Sequence, residues 1–206
     1  IAGKESKEIL PTILFNIVNK IEFEKSMKWS DKSFRFARPI KWFVTLLDKE
    51  IIPFEFEGIK GGNITRGMRY FSSQNIELSN PLEYEIKLKD NFVIPKKEER
   101  KSKILESIKE NCETNGDIAI INKNLLEEVT NLVEYPYALK GEFSKDYLLL
   151  PEDIITITME THQRYFPVKD ENGNLSNKFI LIRNSPEYSE IVKKGNEKVI
   201  EPRLAD

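Results

Sequence analysis

Two short stretches combine residue types that can bind phosphate or move protons. One is "HQRYF", in which the only histidine of the chain, His162, precedes Gln163 and Arg164. The other is "TRGMRYF", in which Arg66 and Arg69 lie close to aromatic residues. A guanidinium group offers planar donors that suit phosphate, and aromatic rings can stack on bases. Amphipathic strands with surface arginines give the same pattern, so the residues alone leave an RNA-binding and a structural interpretation open.

The residue types needed for catalysis do not form a recognisable pattern. With one histidine and one cysteine, Cys112, the chain cannot build a histidine-rich metal site, a cysteine-based zinc site or an internal disulfide. Neither "KGGN" nor "KGNEK" completes a phosphate-binding glycine loop, and no serine stands in a nucleophile-elbow pattern. We expect the adjacent carboxylates to favour the positive ends of helix dipoles; they are Glu98 and Glu99, Glu127 and Glu128, and Glu152 and Asp153. We therefore predict no catalytic, cofactor-binding or metal-binding residue in this chain.

The overall charge is nearly balanced. Among 206 residues, 32 are basic and 34 acidic, which gives a net charge of -2. A domain that binds a phosphate backbone alone usually has a clear basic excess, so any nucleic-acid contact must come from local patches or be shared with partner surfaces. No apolar run approaches the ~20 residues that span a bilayer, and no signal peptide is visible. We predict a cytoplasmic protein without membrane contact.

The periodicity of apolar residues predicts the elements that carry these stretches. Helical spacing runs from Ile9 to Ile21, with the helix expected to start near Pro11, and further helices are predicted for 96–116, 123–133, 151–163 and 186–206. Strands are predicted for 38–48 and 50–59 around a turn, for 65–71 after a loop at 61–62, for 135–143, and for a hairpin over 164–184. Residues 81–90 fit a helix or a strand equally well.

Helices and strands are mixed without the regular alternation of a parallel sheet. This pattern predicts an α+β fold with a mixed, largely antiparallel sheet and flanking helices. We treat residues 1–206 as one α+β fragment, with a candidate sub-boundary near residues 115–124. The opening "IAGKESKEIL" and the ending "EPRLAD" lead us to expect a piece of a longer protein.

Five stretches carry most of the distinctive sequence of the chain: "SMKWSDKSFRFARPIKWFVTLL" (26–47), "GNITRGMRYF" (62–71), "LLEEVTNLVEYPYALKGEF" (125–143), "LLLPEDIITITMETHQRYFPVKDENG" (148–173) and "GNEKVIEPRLAD" (195–206). In this order they resemble the beta-subunit family of bacterial glycyl-tRNA synthetase. The family usually has histidine where Met68 stands and an alanine-arginine stretch where Glu201 and Pro202 stand. The first departure weakens any role for a histidine there, and the second is expected to disturb the last helix through Pro202.

The resemblance implies a role in a heterotetrameric aminoacyl-tRNA synthetase that joins glycine to tRNA(Gly) at the expense of ATP. It implies an alpha subunit that holds the active site with its ATP and Mg²⁺, while this region is not catalytic. The expected partners are that alpha subunit, tRNA(Gly) and the remainder of the beta subunit. The resemblance also suggests a fold similar to the editing-type module of the phenylalanyl-tRNA synthetase beta chain.

Within this resemblance the candidate contacts with tRNA or a neighbouring domain are Arg66, Arg69, His162, Gln163, Arg164, Arg183 and Arg203. His162 itself is best interpreted as a helix-end residue of a family motif. Two other functions stay open: a purely structural module that packs subunits together, and a relic editing-type hydrolase. Because glycine is the smallest amino acid, a tight pocket excludes larger ones sterically, which leaves an editing site little to do.

Overall fold

The computed structural model describes residues 3–29, 34–72, 75–113 and 116–205. The chain divides into two compact units, the first ending at Asn91 and the second beginning at Phe92. The candidate sub-boundary near residues 115–124 lies within the second unit. Both units mix helices with strands, and their strand pairs are mostly antiparallel, which confirms the predicted α+β class.

Within its described residues, the first unit is built from short strands and two helices. The helices are α1 (Ser6–Lys20) and α2 (Tyr84–Asp90), and a single 3₁₀ turn (Pro81–Glu83) leads into α2. The strands are β1 (Met27–Lys28), β2 (Arg35–Phe36), β3 (Phe43–Val44), β4 (Leu46–Leu47), β5 (Glu50–Ile51), β6 (Glu55–Phe56), β7 (Ile59–Gly62), β8 (Ile64–Thr65) and β9 (Ile76–Glu77). The order β3-β7-β6 forms a three-stranded sheet, in which β3 and β7 are parallel.

Aromatic rings hold the first unit together. Phe54 and Phe56 are buried, and Phe43 meets Phe54 edge to face with 4.9 Å between ring centroids. From α1, Phe15 approaches Phe56 with 5.3 Å between centroids. The predicted hairpin around Asp48 is confirmed, because β4 and β5 pair with Leu46 opposite Ile51. Such ring pairs contribute beyond the area they bury, by about 0.5–1.5 kcal/mol each.

Two predictions about the strands and loops of this unit are wrong. Gly61 and Gly62 belong to β7 rather than to a loop, and a Cβ on Gly61 would come within 2.3 Å of Thr45 Oγ1, so glycine is needed where the strand passes Thr45. The strand predicted for 65–71 ends at Thr65. The chain then turns, because the carbonyl of Met68 accepts bonds from the amides of Phe71 and Ser72. Residues 69–71 therefore do not form the predicted strand.

The second unit has one sheet with helices on both faces. Its helices are α3 (Lys97–Glu113), α4 (Lys123–Leu132), α5 (Glu152–Ile157) and α6 (Ser189–Ala205). Its strands are β10 (Ile118–Ala119), β11 (Pro136–Glu142), β12 (Phe166–Lys169) and β13 (Leu175–Asn184), in the antiparallel order β10-β12-β13-β11. A 3₁₀ segment (Lys145–Leu149) follows β11.

Strand β13 contributes side chains to two hydrophobic cores, one on each face of the sheet. Ile180 points into the cluster made with α3 and α4, whereas Phe179 and Leu181 point into the cluster made with α5 and α6. Successive side chains of a strand face opposite sides, so a run of apolar residues is what a sheet covered on both faces requires. All three side chains are almost completely buried.

Most predicted elements of this unit are confirmed, including α3, α4, β11 and the hairpin of β12 and β13. The ambiguous residues 81–90 are helical. Pro202 does not end the last helix, which continues to Ala205, and α1 begins at Ser6 and passes through Pro11. In the described part of the chain, no helix is long and apolar enough to cross a membrane.

Candidate functional site

The first candidate site follows directly after β8. Residues 66–72 form a loop that is fixed to α2, because the amide of Met68 donates to the carbonyl of Asn91 at 2.9 Å. Gly67 lies so close to this contact that a Cβ would meet Asn91 O at 2.6 Å and Ser72 Oγ at 2.3 Å. Met68 is buried, so the loop is anchored at its centre while the flanking Arg66 and Arg69 remain exposed.

The guanidinium groups of Arg66 and Arg69 contact rings rather than carboxylates. Arg66 lies over the ring of Trp42 with 5.0 Å to the centroid, and Arg69 lies 5.7 Å from the ring centroid of Tyr70. Among the described residues, neither arginine forms an ion pair. Cation-π contacts at exposed sites stabilise by only about 0.5–1 kcal/mol and leave the N–H donors free for another acceptor.

These arginines line a cleft of about 330 Å³ in the first unit. The lining side chains include three cations and, within the described chain, no acid; they are Lys41, Trp42, Arg66, Gly67, Met68, Arg69 and Ser72. Three cations with no acid among the described lining residues give this cleft a local positive potential, although the whole chain carries a net charge of -2. We call it the basic cleft.

The second candidate site lies where α5 ends. This helix continues as a π-helical turn over Thr158–Gln163, and Arg164 closes it in the left-handed conformation with φ 60° and ψ 39°. The amide of Tyr165 then donates to the carbonyl of Met159 at 2.9 Å. Gln163 is the last residue of this turn and is half-buried. His162 lies one residue before it and is exposed.

The buried neighbours of this turn explain its shape. Met159 is fully buried, and Tyr165 stacks on Phe179 with 4.5 Å between ring centroids. The phenol of Tyr165 donates to Asn196 Oδ1 at 2.6 Å, and burial raises the pKa of Tyr165 to about 12. Its hydroxyl therefore stays protonated at neutral pH and serves as a structural donor rather than an acid-base group.

Arg164 is already engaged within the second unit. Its Nε atom lies 2.6 Å from Glu128 Oε1, and both side chains are about half exposed. Glu160, which precedes Arg164 in the π-helical turn, accepts instead from Asn122 Nδ2 at 2.6 Å. A guanidinium paired with a carboxylate offers less attraction to phosphate than an unpaired one.

Arg183 and Arg203 belong to other elements than the π-helical turn, β13 and α6 respectively. Near the end of β13, Arg183 donates from Nε to the carbonyl of Asn184 at 3.4 Å and from Nη2 to that of Glu187. Burial lowers the pKa of its guanidinium from the usual value. Arg203 is exposed in the last turn of α6, where a cation favours the negative end of the helix dipole.

The paired carboxylates have structural positions. Glu98 and Glu99 lie in the first turn of α3, and Glu152 and Asp153 in the first turn of α5, as predicted. The prediction is wrong for the third pair, which lies in the middle of α4: Glu127 pairs with Lys97 and Lys101, and Glu128 with Arg164. Across the described ranges, no three His, Cys, Asp or Glu side chains gather as metal ligands would.

One ionic cluster was not predicted from the sequence. The buried carboxylate of Asp117 accepts from Lys140 at 3.1 Å and from Lys178 at 3.0 Å. Burial alone raises the pKa of Asp117, but the hydrogen bonds and charges of the two lysines outweigh it, and the pKa is lowered from its usual value. The three residues are far apart in sequence, so only the register of β10, β11 and β13 brings them together.

Comparison with known proteins gives one family. A family model described as glycyl-tRNA synthetase beta subunit matches residues 1–206. The chain is 46% identical over 205 residues to the glycine-tRNA ligase beta subunit of Dictyoglomus turgidum, 42% over 205 residues to that of Clostridioides difficile, and 39% over 206 residues to that of Bacillus subtilis. These matches cover 99%, 99% and 100% of the chain but only 30% of each relative.

Proposed function

The chain belongs to the glycyl-tRNA synthetase beta-subunit family, and from this premise we propose that it helps glycine-tRNA ligase to engage tRNA(Gly). The basic cleft holds the tRNA, while an alpha subunit with ATP and Mg²⁺ carries out the ligation. The chain spans about 30% of the length of the curated relatives it matches, so the activity belongs to the whole assembly. In this proposal the segment itself performs no chemical step.

The observation that supports this role is that neither Arg66 nor Arg69 forms an ion pair with any carboxylate in the described part of the chain. Both are exposed, and with Lys41 they line a cleft that contains no acid among its described lining residues. In a chain with 34 acidic residues, cations that are kept away from carboxylates favour an external anion. A phosphate oxygen accepts charge-assisted hydrogen bonds from such groups at little cost in stability of the free protein.

Salt dependence tests this role directly. In the full-length assembled enzyme, the double variant Arg66→Gln/Arg69→Gln is expected to bind tRNA(Gly) more weakly. A plot of the logarithm of the binding constant against the logarithm of the salt concentration has a negative slope, and its magnitude should decrease by about 1–2 in the variant. The reason is that each lost phosphate contact removes nearly one released counterion. Equilibrium binding over a range of KCl concentrations measures both quantities.

The matched control removes two exposed cations of the first unit that do not line the basic cleft. The variant Lys49→Gln/Lys60→Gln changes the net charge by the same amount, so a general electrostatic effect would lower the slope equally in both proteins. A specific site predicts a clear change only in the arginine variant. Equal slopes in the two double variants would contradict the proposal.

Helix α1 favours a second candidate function, a packing module. None of its described residues is buried, and it exposes a set of large apolar side chains: Ile9, Ile13, Phe15 and Ile17. Exposed apolar clusters of this kind are typical of protein-protein contacts. Replacement of Ile13 and Ile17 by serine should then weaken assembly of the enzyme in size-exclusion chromatography, whereas the tRNA-binding role predicts normal assembly of the Arg66→Gln/Arg69→Gln variant.

A further inference from the structure

A second cleft of the first unit adjoins the basic cleft. It has a volume of about 480 Å³ and shares Trp42 with the basic cleft. The two clefts are also lined by consecutive residues of the chain, because Thr65 lines the second cleft and Arg66 lines the basic cleft. We call the second one the aromatic cleft, because its walls include Trp42, Phe43 and Tyr84.

The aromatic cleft has partly exposed aromatic rings on its walls and buried side chains at its base. Trp42 is 40% exposed and Tyr84 is 37% exposed, whereas Leu78 and Thr65 at the floor are almost completely buried. The backbone of Tyr84 is held as the first residue of α2, and the guanidinium of Arg66 lies over the ring of Trp42 with 5.0 Å to its centroid. Accessible rings held in place can stack on another planar group at little entropic cost.

The two clefts together have the polarity of a nucleotide. A nucleotide joins a flat, weakly polar base to an anionic phosphate, and here an aromatic cleft adjoins one lined by Lys41, Arg66 and Arg69. A base within a duplex is already stacked on both faces and cannot enter, whereas an unpaired base can. Volumes of 330 and 480 Å³ suit single nucleotide units rather than a helix.

We propose that these adjoining clefts bind one unpaired nucleotide of an RNA, with the base in the aromatic cleft and its phosphate in the basic cleft. This inference rests on the proposed tRNA-binding role and adds the class of RNA element that is recognised. It makes Tyr84 and Trp42 stacking residues, and it distinguishes single-stranded from helical RNA. Affinity then depends on stacking as well as on charge.

Stacking by Tyr84 can be tested with short RNAs. The full-length assembled enzyme is titrated with a single-stranded hexaribonucleotide of mixed sequence and with the same sequence in a duplex. Tyr84→Leu should weaken binding of the single strand by about tenfold, since loss of one base-aromatic stack has an effect of that order. Tyr84→Phe should leave the affinity within about twofold, because the ring is retained.

A control and a direct readout make the result independent of folding effects. Tyr137 of the second unit is also 37% exposed, so Tyr137→Leu serves as a matched loss of an exposed tyrosine and should not alter binding. In the unaltered enzyme, a hexanucleotide that carries one photoreactive thiouridine should crosslink to peptides containing Trp42 or Tyr84. The duplex should not crosslink there.

The outcomes separate this inference from the proposed function. If Arg66→Gln/Arg69→Gln weakens tRNA binding but the hexanucleotide neither crosslinks at Trp42 or Tyr84 nor responds to Tyr84→Leu, the nucleotide site is wrong and the tRNA role stands. If the duplex crosslinks at these rings as well as the single strand does, the preference for an unpaired base is wrong. If the arginine variant binds tRNA normally, the proposed function fails first.

Discussion

At the scale of single residues, Gly67 fixes the loop that presents the two arginines. A Cβ at this position would lie 2.5 Å from Asn91 Cβ and 2.6 Å from Asn91 O. Because a backbone atom cannot move aside cheaply, Gly67→Ala should lower the free energy of unfolding by about 1–3 kcal/mol. Denaturant unfolding measures this.

The control for this prediction is Gly62→Ala. A Cβ on Gly62 would meet nothing within 4 Å, so its unfolding free energy should change by no more than about 0.5 kcal/mol. Equal effects of the two substitutions would show that the close approach at Asn91 is not what requires glycine at position 67.

The Asp117 cluster predicts a pH dependence with a definite sign. Because the folded pKa of Asp117 is lowered, its stabilisation is complete above the unfolded value of about 3.9 and is lost as the pH falls through the folded pKa. Asp117→Asn should therefore cost about 1.5–3 kcal/mol of unfolding free energy near neutral pH. The difference from the unaltered protein should narrow below about pH 4.

Urea unfolding at neutral and acidic pH checks this prediction. Exposed Glu106 in the middle of α3, for which no partner contact is described, gives the matched loss of a carboxylate in Glu106→Gln, with an expected change of at most about 0.5 kcal/mol. If the unfolding free energies of Asp117→Asn and the unaltered protein differ by the same amount at every pH, the carboxylate charge does not stabilise the fold.

The sequence identifies the arginines but not their partners. Arg69 and Arg164 each precede a tyrosine and Arg66 lies in the same short stretch as Arg69, yet among the described residues only Arg164 of the three has a carboxylate partner, Glu128, which lies 36 residues away. Which arginines remain free depends on long-range packing that no local pattern encodes. Contact with tRNA stays a prediction for all seven candidate residues.

At the scale of elements, the start of α4 depends on one side chain. Asn122 Oδ1 accepts from the amides of Asn124 at 2.9 Å and Leu125 at 3.3 Å, and its Nδ2 donates to Glu160. Asn122→Ala should lower the free energy of unfolding by about 1–2 kcal/mol, since it leaves helix amides without an acceptor. Thermal and denaturant unfolding provide the measurement.

Asn131 on the same helix gives the control. Its side chain is exposed and, among the contacts described, reaches only Glu127 of the same helix, donating to the carbonyl at 3.0 Å and to the carboxylate. Asn131→Ala should change the unfolding free energy by at most about 0.5 kcal/mol. If both asparagine variants unfold alike, the cap does not stabilise α4 in the expected way.

Elements with strong local signals were predictable, and those set by distant packing were not. Helix α4 and the hairpin of β12 and β13 follow from periodicity and turn residues, with Gly173 at φ 81° in the turn. The strand expected for 65–71 fails because the Met68 carbonyl and Asn91 draw the chain into a turn. The aromatic and β-branched residues of this stretch favour a strand, but tertiary contacts override that preference.

At the scale of the whole molecule, positive charge is concentrated in one cleft although the chain as a whole has no basic excess. The chain carries a net charge of -2, yet the basic cleft gathers three cations. The α+β class could be derived from the order of elements, whereas the cleft could not, because it joins the residue before β3 to the loop after β8. The likeness to the editing-type module of phenylalanyl-tRNA synthetase stays a prediction.

The central claim is that this chain binds tRNA and takes no part in glycine activation. Steady-state aminoacylation and glycine-dependent ATP-pyrophosphate exchange by the full-length assembled enzyme test both parts together. For Arg66→Gln/Arg69→Gln, we expect the KM for tRNA(Gly) to rise about tenfold or more while the exchange rate is unchanged, since two charge-assisted phosphate contacts are lost. An unchanged KM for tRNA, or an exchange rate that falls as much as aminoacylation does, would contradict the account.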